Sequence, residues 1–225
     1  MSSASTFDYL KQSFFFFRVH VVSLTQILIP FVLLQSLFAV FMLPEEPTID
    51  DLTKLALLNL ILLPFYQAAL IRYMDAVVND AYLTPIQALI IGLPSILPLV
   101  AVYVLMGVAL ATGLLLFIVP AIALMYLLSY CEFICVLEKK NPFECIDQSI
   151  RRGLSAFFPL FTGKTFIFLV LISLQILVLQ ILNTLGMGGV IADIASDVIF
   201  SVLFSINTIF GYRLYCVDKA ENNRT

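Results

Sequence analysis

The chain has 225 residues and a formal net charge of −3 at pH 7, and 61% of its residues are hydrophobic while only 12% are charged. A soluble globular domain is roughly half apolar and about one-quarter charged, so this composition excludes an ordinary soluble domain. The mean hydropathy of +1.04 indicates a membrane protein instead. The small net charge does not by itself indicate a class of partner.

Long runs without charged residues predict membrane-spanning helices, since one span needs about 20 mostly apolar residues. No Asp, Glu, Lys or Arg occurs within residues 19–44, 81–131 or 165–192. The middle run is long enough for two spans, with a break expected between Gly107 and Gly113. We therefore predict one integral membrane domain over residues 1–225, an all-α polytopic bundle with six transmembrane helices at approximately 19–43, 55–78, 89–107, 114–137, 160–182 and 194–217.

Amphipathic segments are predicted to lie as short surface helices at the membrane interface. Two of them begin with a capping pattern, Thr84 to Gln87 and Asn141 to Glu144, in which proline follows the N-cap residue. In the last one, Asp147 and Arg151 are spaced i, i+4 and are expected to pair. Its apolar face is predicted to contain Phe143, Ile146 and Ile150. The three surface helices are expected at approximately 6–18, 84–92 and 141–153.

An internal repeat accompanies these segments. Residues Gly92 to Leu99 align with Gly153 to Leu160, and each stretch follows a capped surface helix at a similar distance. The alignment predicts parallel repeated units, each made of a surface helix and a membrane hairpin.

The basic residues are distributed unevenly between the loops that join the predicted spans. With six spans, all of the 12 Lys and Arg residues except Lys54 fall on the side that carries both termini. Short loops rich in Lys and Arg stay in the cytosol, so both termini are predicted to be cytosolic. The four cysteines fall on the same side and are expected to be reduced thiols.

Two stretches resemble a known family. They are Phe117 to Ile122, which contains Pro120, and Cys135 to Ser149, which joins the fourth span to the last surface helix. Together with the capped helices and the proline-bearing spans, they resemble the YciC-type bacterial inner-membrane proteins, a multi-pass family without an assigned activity. The resemblance implies a location in the bacterial inner membrane and a role in envelope or lipid homeostasis. It brings no catalytic residues.

Ionisable residues within spans are candidate functional groups, because a charge inside the bilayer is costly unless it is paired or hydrated. Glu132, Arg72 and Arg213 lie near predicted inner span ends and form a candidate inner polar cluster. We hypothesise that such a cluster gates a lipid headgroup or a proton. In the alternative interpretation, each side chain extends to the headgroups and has a purely structural role.

Basic residues from the end of the fourth span to the beginning of the fifth form a second candidate site. Beside a span they are predicted to contact anionic lipid, with about 1 kcal/mol from each residue near the surface. Nucleic acid is not an expected partner. The candidate lipid contacts are Lys139, Lys140, Arg151, Arg152 and Lys164.

The sequence predicts no catalytic residues, metal ligands or cofactor. No hydroxyl–His–acid set can be found. The thiols of Cys131 and Cys135 beside Glu132 are too few for a closed metal site, because the only histidine, His20, lies beside the inner end of the first span. We therefore expect a non-enzymatic inner-membrane protein that organises lipid or partner proteins in the envelope. Protein partners and a homo-oligomer both remain open.

The alternative function is a small transporter or channel with a polar path between the helices. It is motivated by prolines within the spans and by amide side chains within them. These amides are Gln35, Asn59, Gln67, Gln175, Gln180 and Asn207. A polar cavity lined by Gln35, Asn59 or Gln175 would favour transport, whereas a dry interior would favour a scaffold. Such amides also join helices through hydrogen bonds without forming a path.

Overall fold

The computed structural model describes residues 6–44, 48–187 and 189–222, and within these ranges the regular structure is entirely helical. Six of the seven helices are long and apolar enough to span a membrane, α5 being the exception. The predicted all-α bundle is confirmed, and the fold is that of a multi-pass membrane protein. The helices are α1 (Thr6–Met42), α2 (Ile49–Val78), α3 (Pro85–Leu115), α4 (Ile118–Glu138), α5 (Pro142–Ser155), α6 (Phe157–Thr184) and α7 (Val190–Asn222).

The six long helices form a closed ring. Each of α1, α2 and α3 packs against the next helix along the chain, α4 packs against α6, α6 against α7, and α7 against α1. Leu24 and Ile27 of α1 and Phe210 of α7 are fully buried in the shared core. Outside the ring, large apolar side chains such as Leu115 and Ile191 are exposed, which is typical of helices whose outer faces contact lipid.

The predicted surface segment 6–18 and the first span 19–43 belong to one continuous helix, α1. No glycine or proline occurs between Thr6 and Ile29, so nothing in this stretch interrupts the backbone hydrogen bonds. At about 1.5 Å per residue, the 37 residues of α1 extend for about 55 Å, well beyond the ~30 Å of a bilayer's hydrocarbon core. One helix is therefore long enough for both the surface segment and the span.

The break between the third and fourth spans lies at Phe117, beyond the predicted interval from Gly107 to Gly113. Phe117 is extended, with φ −171° and ψ 157°, whereas both glycines are helical. A Cβ atom on Gly113 would lie 3.0 Å from the Cα of Ala121 in α4. Gly113 thus permits close contact between α3 and α4 and does not form the turn.

Helix α5 packs onto the bundle through small side chains. Cys145, Ser149 and Gly153, spaced four residues apart, are its buried residues. A Cβ atom on Gly153 would lie only 2.8 Å from the carbonyl oxygen of Leu127 in α4. Phe143, at one end of the predicted apolar face, is 74% exposed. The buried stripe of small residues therefore fixes α5 against α4.

The two aligned glycines of the repeat make equivalent contacts. Gly92 packs against the backbone of Ala69 in the preceding helix α2, as Gly153 packs against Leu127 in α4. Before Gly92, the predicted capping box is present, because Thr84 accepts a hydrogen bond from the N–H of Gln87 and the Gln87 side chain accepts one from the N–H of Thr84. This shared packing favours the repeat predicted from the sequence.

Candidate functional site: a cationic groove and an interior polar chamber

The last turn of α4 positions the first part of the site. Residues 134–138 form a wide π turn, and Lys139 then adopts a left-handed conformation with φ 54°. Turns of this kind leave backbone carbonyls without their usual helical partners. Arg72 of α2 donates a hydrogen bond of 2.5 Å from Nη2 to the carbonyl oxygen of Val136. The end of α4 is thereby tied to α2 by a cationic side chain.

A groove of about 440 Å³ opens beside this contact, and we call it the cationic groove. Three of its lining residues, Arg72, Lys139 and Lys140, carry positive charge, and none of the lining residues is acidic. The Nε atom of Arg72 is buried and has no hydrogen-bond partner among the described residues. The groove also contains Ser95 and Cys135, which provide further polar atoms.

Glu138 organises the basic residues next to the groove. Its carboxylate accepts hydrogen bonds from Arg152 Nη1 at 2.7 Å and from Tyr215 Oη at 2.8 Å, and it pairs with Lys140 Nζ at 2.8 Å. Burial would lower the pKa of Arg152, but the hydrogen bonds to Glu138 outweigh this effect and raise it. One carboxylate therefore holds two cations, and Lys140 still lines the groove.

An acidic side chain occupies the interior of the ring. Glu132 of α4 accepts hydrogen bonds from Gln67 Nε2 at 2.5 Å and from Tyr103 Oη at 3.0 Å. Two cavities meet at this carboxylate, one of about 240 Å³ and one of about 400 Å³, and both are lined by Gln67 and Glu132. We call the larger cavity the chamber. Lys164 of α6 also lines it.

The three residues of the predicted inner polar cluster have different surroundings. Glu132 faces the chamber, and Arg72 lies at the cationic groove. Arg213 of α7 donates a hydrogen bond of 2.8 Å to Gln12 near the start of α1. In the part of the chain that the structure describes, no hydrogen bond or ion pair joins any two of these three side chains.

The five predicted lipid contacts also separate into groups. Lys139 and Lys140 line the cationic groove, and Arg152 is bound to Glu138. Arg151 pairs with Asp147 at 3.0 Å, as their spacing predicts, and both side chains are mainly exposed. Lys164 lies in the chamber, away from the other four.

The amides expected to line a polar path do not line the chamber, the smaller cavity beside it or the cationic groove. Gln35, Asn59 and Gln175 are half-buried at other positions on the helices. Gln67 and Asn207 are the amides that reach the chamber. Two of the six predicted intramembrane amides therefore line this cavity, although they are not the three that were expected to line a polar path.

The cysteines form no disulfide in the described structure. Cys131 and Cys145 approach each other, with Cys131 Sγ lying 3.6 Å from the carbonyl oxygen of Cys145. The hydrogen bond to the neighbouring Cys135 thiol raises the pKa of Cys145, and burial raises it further. Among the residues described, no three His, Cys, Asp or Glu side chains are grouped as metal ligands would be.

Comparisons with known proteins return no relative. No family model, no curated protein and no solved structure matches this chain.

Proposed function

We propose that this chain is a non-enzymatic protein of the bacterial inner membrane that binds and organises anionic lipid in the envelope, as its resemblance to the YciC-type family implies. The observation that carries the proposal is the cationic groove. Arg72, Lys139 and Lys140 line one cavity between neighbouring helices, and no acidic side chain lines it. Basic pockets of this kind between membrane helices are suited to anionic lipid headgroups.

The buried Nε atom of Arg72 is a hydrogen-bond donor without a partner among the described residues, and a ligand bound in the groove would supply the missing acceptor. A buried donor without a partner costs about 1–3 kcal/mol, which an oxyanion at this position would recover. Arginine also binds phosphate oxygens with defined geometry, while lysine acts as a mobile point charge. Arg72 would orient a phosphate, and Lys139 and Lys140 would add electrostatic attraction.

The groove lies near the ends of α2 and α4, a position that agrees with a binding site for lipid headgroups. Arg72 precedes the end of α2 at Val78 by six residues, which is about 9 Å along the helix axis. Lys139 and Lys140 follow directly after α4. If both termini are cytosolic, as the distribution of basic residues predicts, the groove faces the inner leaflet.

The test is lipid retention by the purified protein in nanodiscs made of phosphatidylcholine with an equal share of phosphatidylglycerol. We expect native mass spectrometry to detect bound phosphatidylglycerol on the wild-type protein. A double variant, Arg72→Gln with Lys139→Gln, should retain about tenfold less, since it loses two charged contacts.

Arg151→Gln is the matched control, because Arg151 is basic, near the groove in sequence and paired with Asp147 on the outside. The Arg151→Gln variant should retain as much phosphatidylglycerol as the wild-type protein. Equal retention by the double variant, or equal binding of phosphatidylcholine, would overturn the proposal.

A second candidate function is transport, and one observation favours it. The chamber and the smaller cavity meet at Gln67 and Glu132, so polar side chains are continuous over part of the interior. If this region conducts protons, liposomes that contain the protein should lose an imposed pH gradient faster than liposomes with Glu132→Gln. Equal rates would exclude proton conduction through Glu132.

A further inference from the structure

Two oppositely charged side chains line the chamber without forming an ion pair with each other. Glu132 of α4 and Lys164 of α6 both line it. Within the described ranges, Lys164 forms no hydrogen bond or ion pair, although it lies near enough to Glu132 for the two charges to attract. Open space of about 400 Å³ is therefore bounded by an anion and a separate cation.

Direct pairing would be the usual arrangement for such residues. An isolated charge in the low-dielectric interior of a membrane protein is costly, and close pairing or a polar partner reduces that cost. Here the carboxylate is held by Gln67 and Tyr103, which fix it on its own side of the chamber. Lys164 Nζ lies against α7, where a Cβ atom on Gly211 would be 3.2 Å from it. The two charges are thus held by different helices.

A further acceptor lies on the same cavity. Asn207 of α7 lines the chamber, and its buried Oδ1 atom has no hydrogen-bond partner among the described residues. Each Glu132 oxygen accepts one hydrogen bond and retains a free lone pair. An ammonium group has three donors, which Glu132 and Asn207 can accept.

Aromatic rings complete the surroundings of the acceptors. Phe133, Phe168 and Phe204 line the chamber, and the rings of Phe168 and Phe204 lie 6.1 Å apart. The face of an aromatic ring attracts a cation within about 6 Å of its centre. The chamber therefore offers aromatic carbon beside its acceptors, which suits an ammonium group.

We propose that the chamber is a binding site for a small zwitterion, a molecule with a primary ammonium group and an oxyanion. The ammonium group binds Glu132 and the Asn207 Oδ1 atom, and the oxyanion binds Lys164. A zwitterion has no net charge, so its transfer into the membrane costs less than that of either ion alone. The volume lies within the range of small-molecule sites, about 300–1,000 Å³.

Two sources could supply this chemistry, a free metabolite of the amino-acid type or the headgroup of an aminophospholipid. The proposal is independent of the cationic groove, because Arg72, Lys139 and Lys140 do not line the chamber. It also applies whether the bound molecule is transported or only retained.

The free source is tested by titrating the purified protein with two net-neutral zwitterions of different length, glycine and glycerophosphoethanolamine, by isothermal calorimetry. Ethanolamine and inorganic phosphate, which carry one charged group each, serve as comparison ligands. We expect one of the zwitterions to bind at least about tenfold more tightly than either comparison ligand, because only a zwitterion satisfies Lys164 and Glu132 together.

The lipid source is tested by native mass spectrometry after purification from nanodiscs that contain phosphatidylethanolamine or phosphatidylcholine. Selective retention of phosphatidylethanolamine would identify the headgroup as the ligand, since the choline group has no N–H donor. Binding of a free zwitterion would identify the other source. If neither zwitterion binds and neither lipid is preferred, the chamber holds only water and the proposal is overturned.

Variants assign the binding to the chamber. Lys164→Met and Asn207→Leu should each lower the affinity for the zwitterion by about tenfold. Glu132→Gln should lower it by a similar factor, and its amide still offers a polar group to Gln67 and Tyr103. Asp75→Asn is the control, because Asp75 binds Tyr212 and does not line the chamber.

Phosphatidylglycerol retention by these variants separates this proposal from the function of the groove. Loss of zwitterion binding with normal phosphatidylglycerol retention supports the chamber as the site. Unchanged zwitterion affinity in Lys164→Met and in Glu132→Gln would contradict it, even if the groove still binds lipid.

Discussion

Ser149 of α5 donates a hydrogen bond of 2.7 Å to the backbone carbonyl of Leu127 in α4. Its hydroxyl also accepts one of 3.1 Å from the N–H of Tyr130. A 3₁₀ turn at Leu128–Tyr130 interrupts α4 between these two backbone groups. The Ser149 hydroxyl of α5 thus supplies the hydrogen-bond partner for two backbone groups at the irregular turn of α4.

Replacing Ser149 with alanine should lower the free energy of unfolding by about 1–3 kcal/mol, because two buried backbone groups lose their partner. The thermal unfolding midpoint in detergent measures the change. Thr184→Ala is the control, since Thr184 is exposed and bonds only to the preceding turn of its own helix. Equal midpoints for the two variants would contradict this role of Ser149.

Gly163 allows α6 and α7 to pack closely. A Cβ atom at Gly163 would lie 2.0 Å from the Phe210 ring, which is fully buried and has little room to move. Gly163→Ala should therefore destabilise the protein by about 1–3 kcal/mol through overpacking.

A second change on the facing helix tests this explanation. Phe210→Leu in the same chain should restore part of the stability lost in Gly163→Ala, because it removes the clashing atoms. Gly107→Ala is the matched control, since its Cβ atom would meet nothing within 4 Å. If the control is as unstable as Gly163→Ala, close packing at Gly163 is not the cause.

Arg152 connects α5 to the end of α4 through Glu138, and their side chains are 21% and 13% exposed. Arg152→Gln should lower the unfolding free energy by about 2 kcal/mol, less than for a fully buried pair because solvent reaches part of it. Arg151→Gln breaks an exposed pair and should have little effect. Thermal unfolding at low salt compares the stability of the two variants. A larger loss of stability in Arg151→Gln than in Arg152→Gln would contradict the account.

The proposed orientation of the bundle, with both termini in the cytosol, can be tested independently of its stability. Reporter domains inserted after Pro44 and after Met187 should both be active in the periplasm, and a reporter at the C-terminus should be active in the cytosol. A cytosolic signal from either loop would show that the basic residues face the other side.

The helical class and the number of spans can be predicted because they depend on the length and composition of the apolar segments, which can be read from a single sequence. The long run without charge predicts a hairpin, but it does not predict the turn at Phe117, because Gly113 serves close packing and not a bend. Similarly, the spacing of Phe143, Ile146 and Ile150 predicts an apolar face. The small residues at Cys145, Ser149 and Gly153 decide how α5 packs.

The candidate site was only partly predictable for a similar reason. Glu132 is conspicuous because it follows a long uncharged run, and the structure does place it inside the ring. The sequence pattern groups Lys164 with its basic neighbours at the membrane surface, whereas in the structure it lies seven residues inside α6. A charged residue within an apolar helix is the signal that identifies it. Its relation to Glu132 depends on the order of helices around the ring, which one sequence does not report.

The most direct test of the lipid-binding function is photo-cross-linking in native membranes with a phosphatidylglycerol analogue that carries the reactive group near its phosphate. The account predicts adducts on peptides that contain Arg72 or the Lys139–Lys140 pair, and their loss in the Arg72→Gln, Lys139→Gln variant. Adducts spread evenly over the outer faces of α6 and α7, and unchanged in that variant, would contradict it.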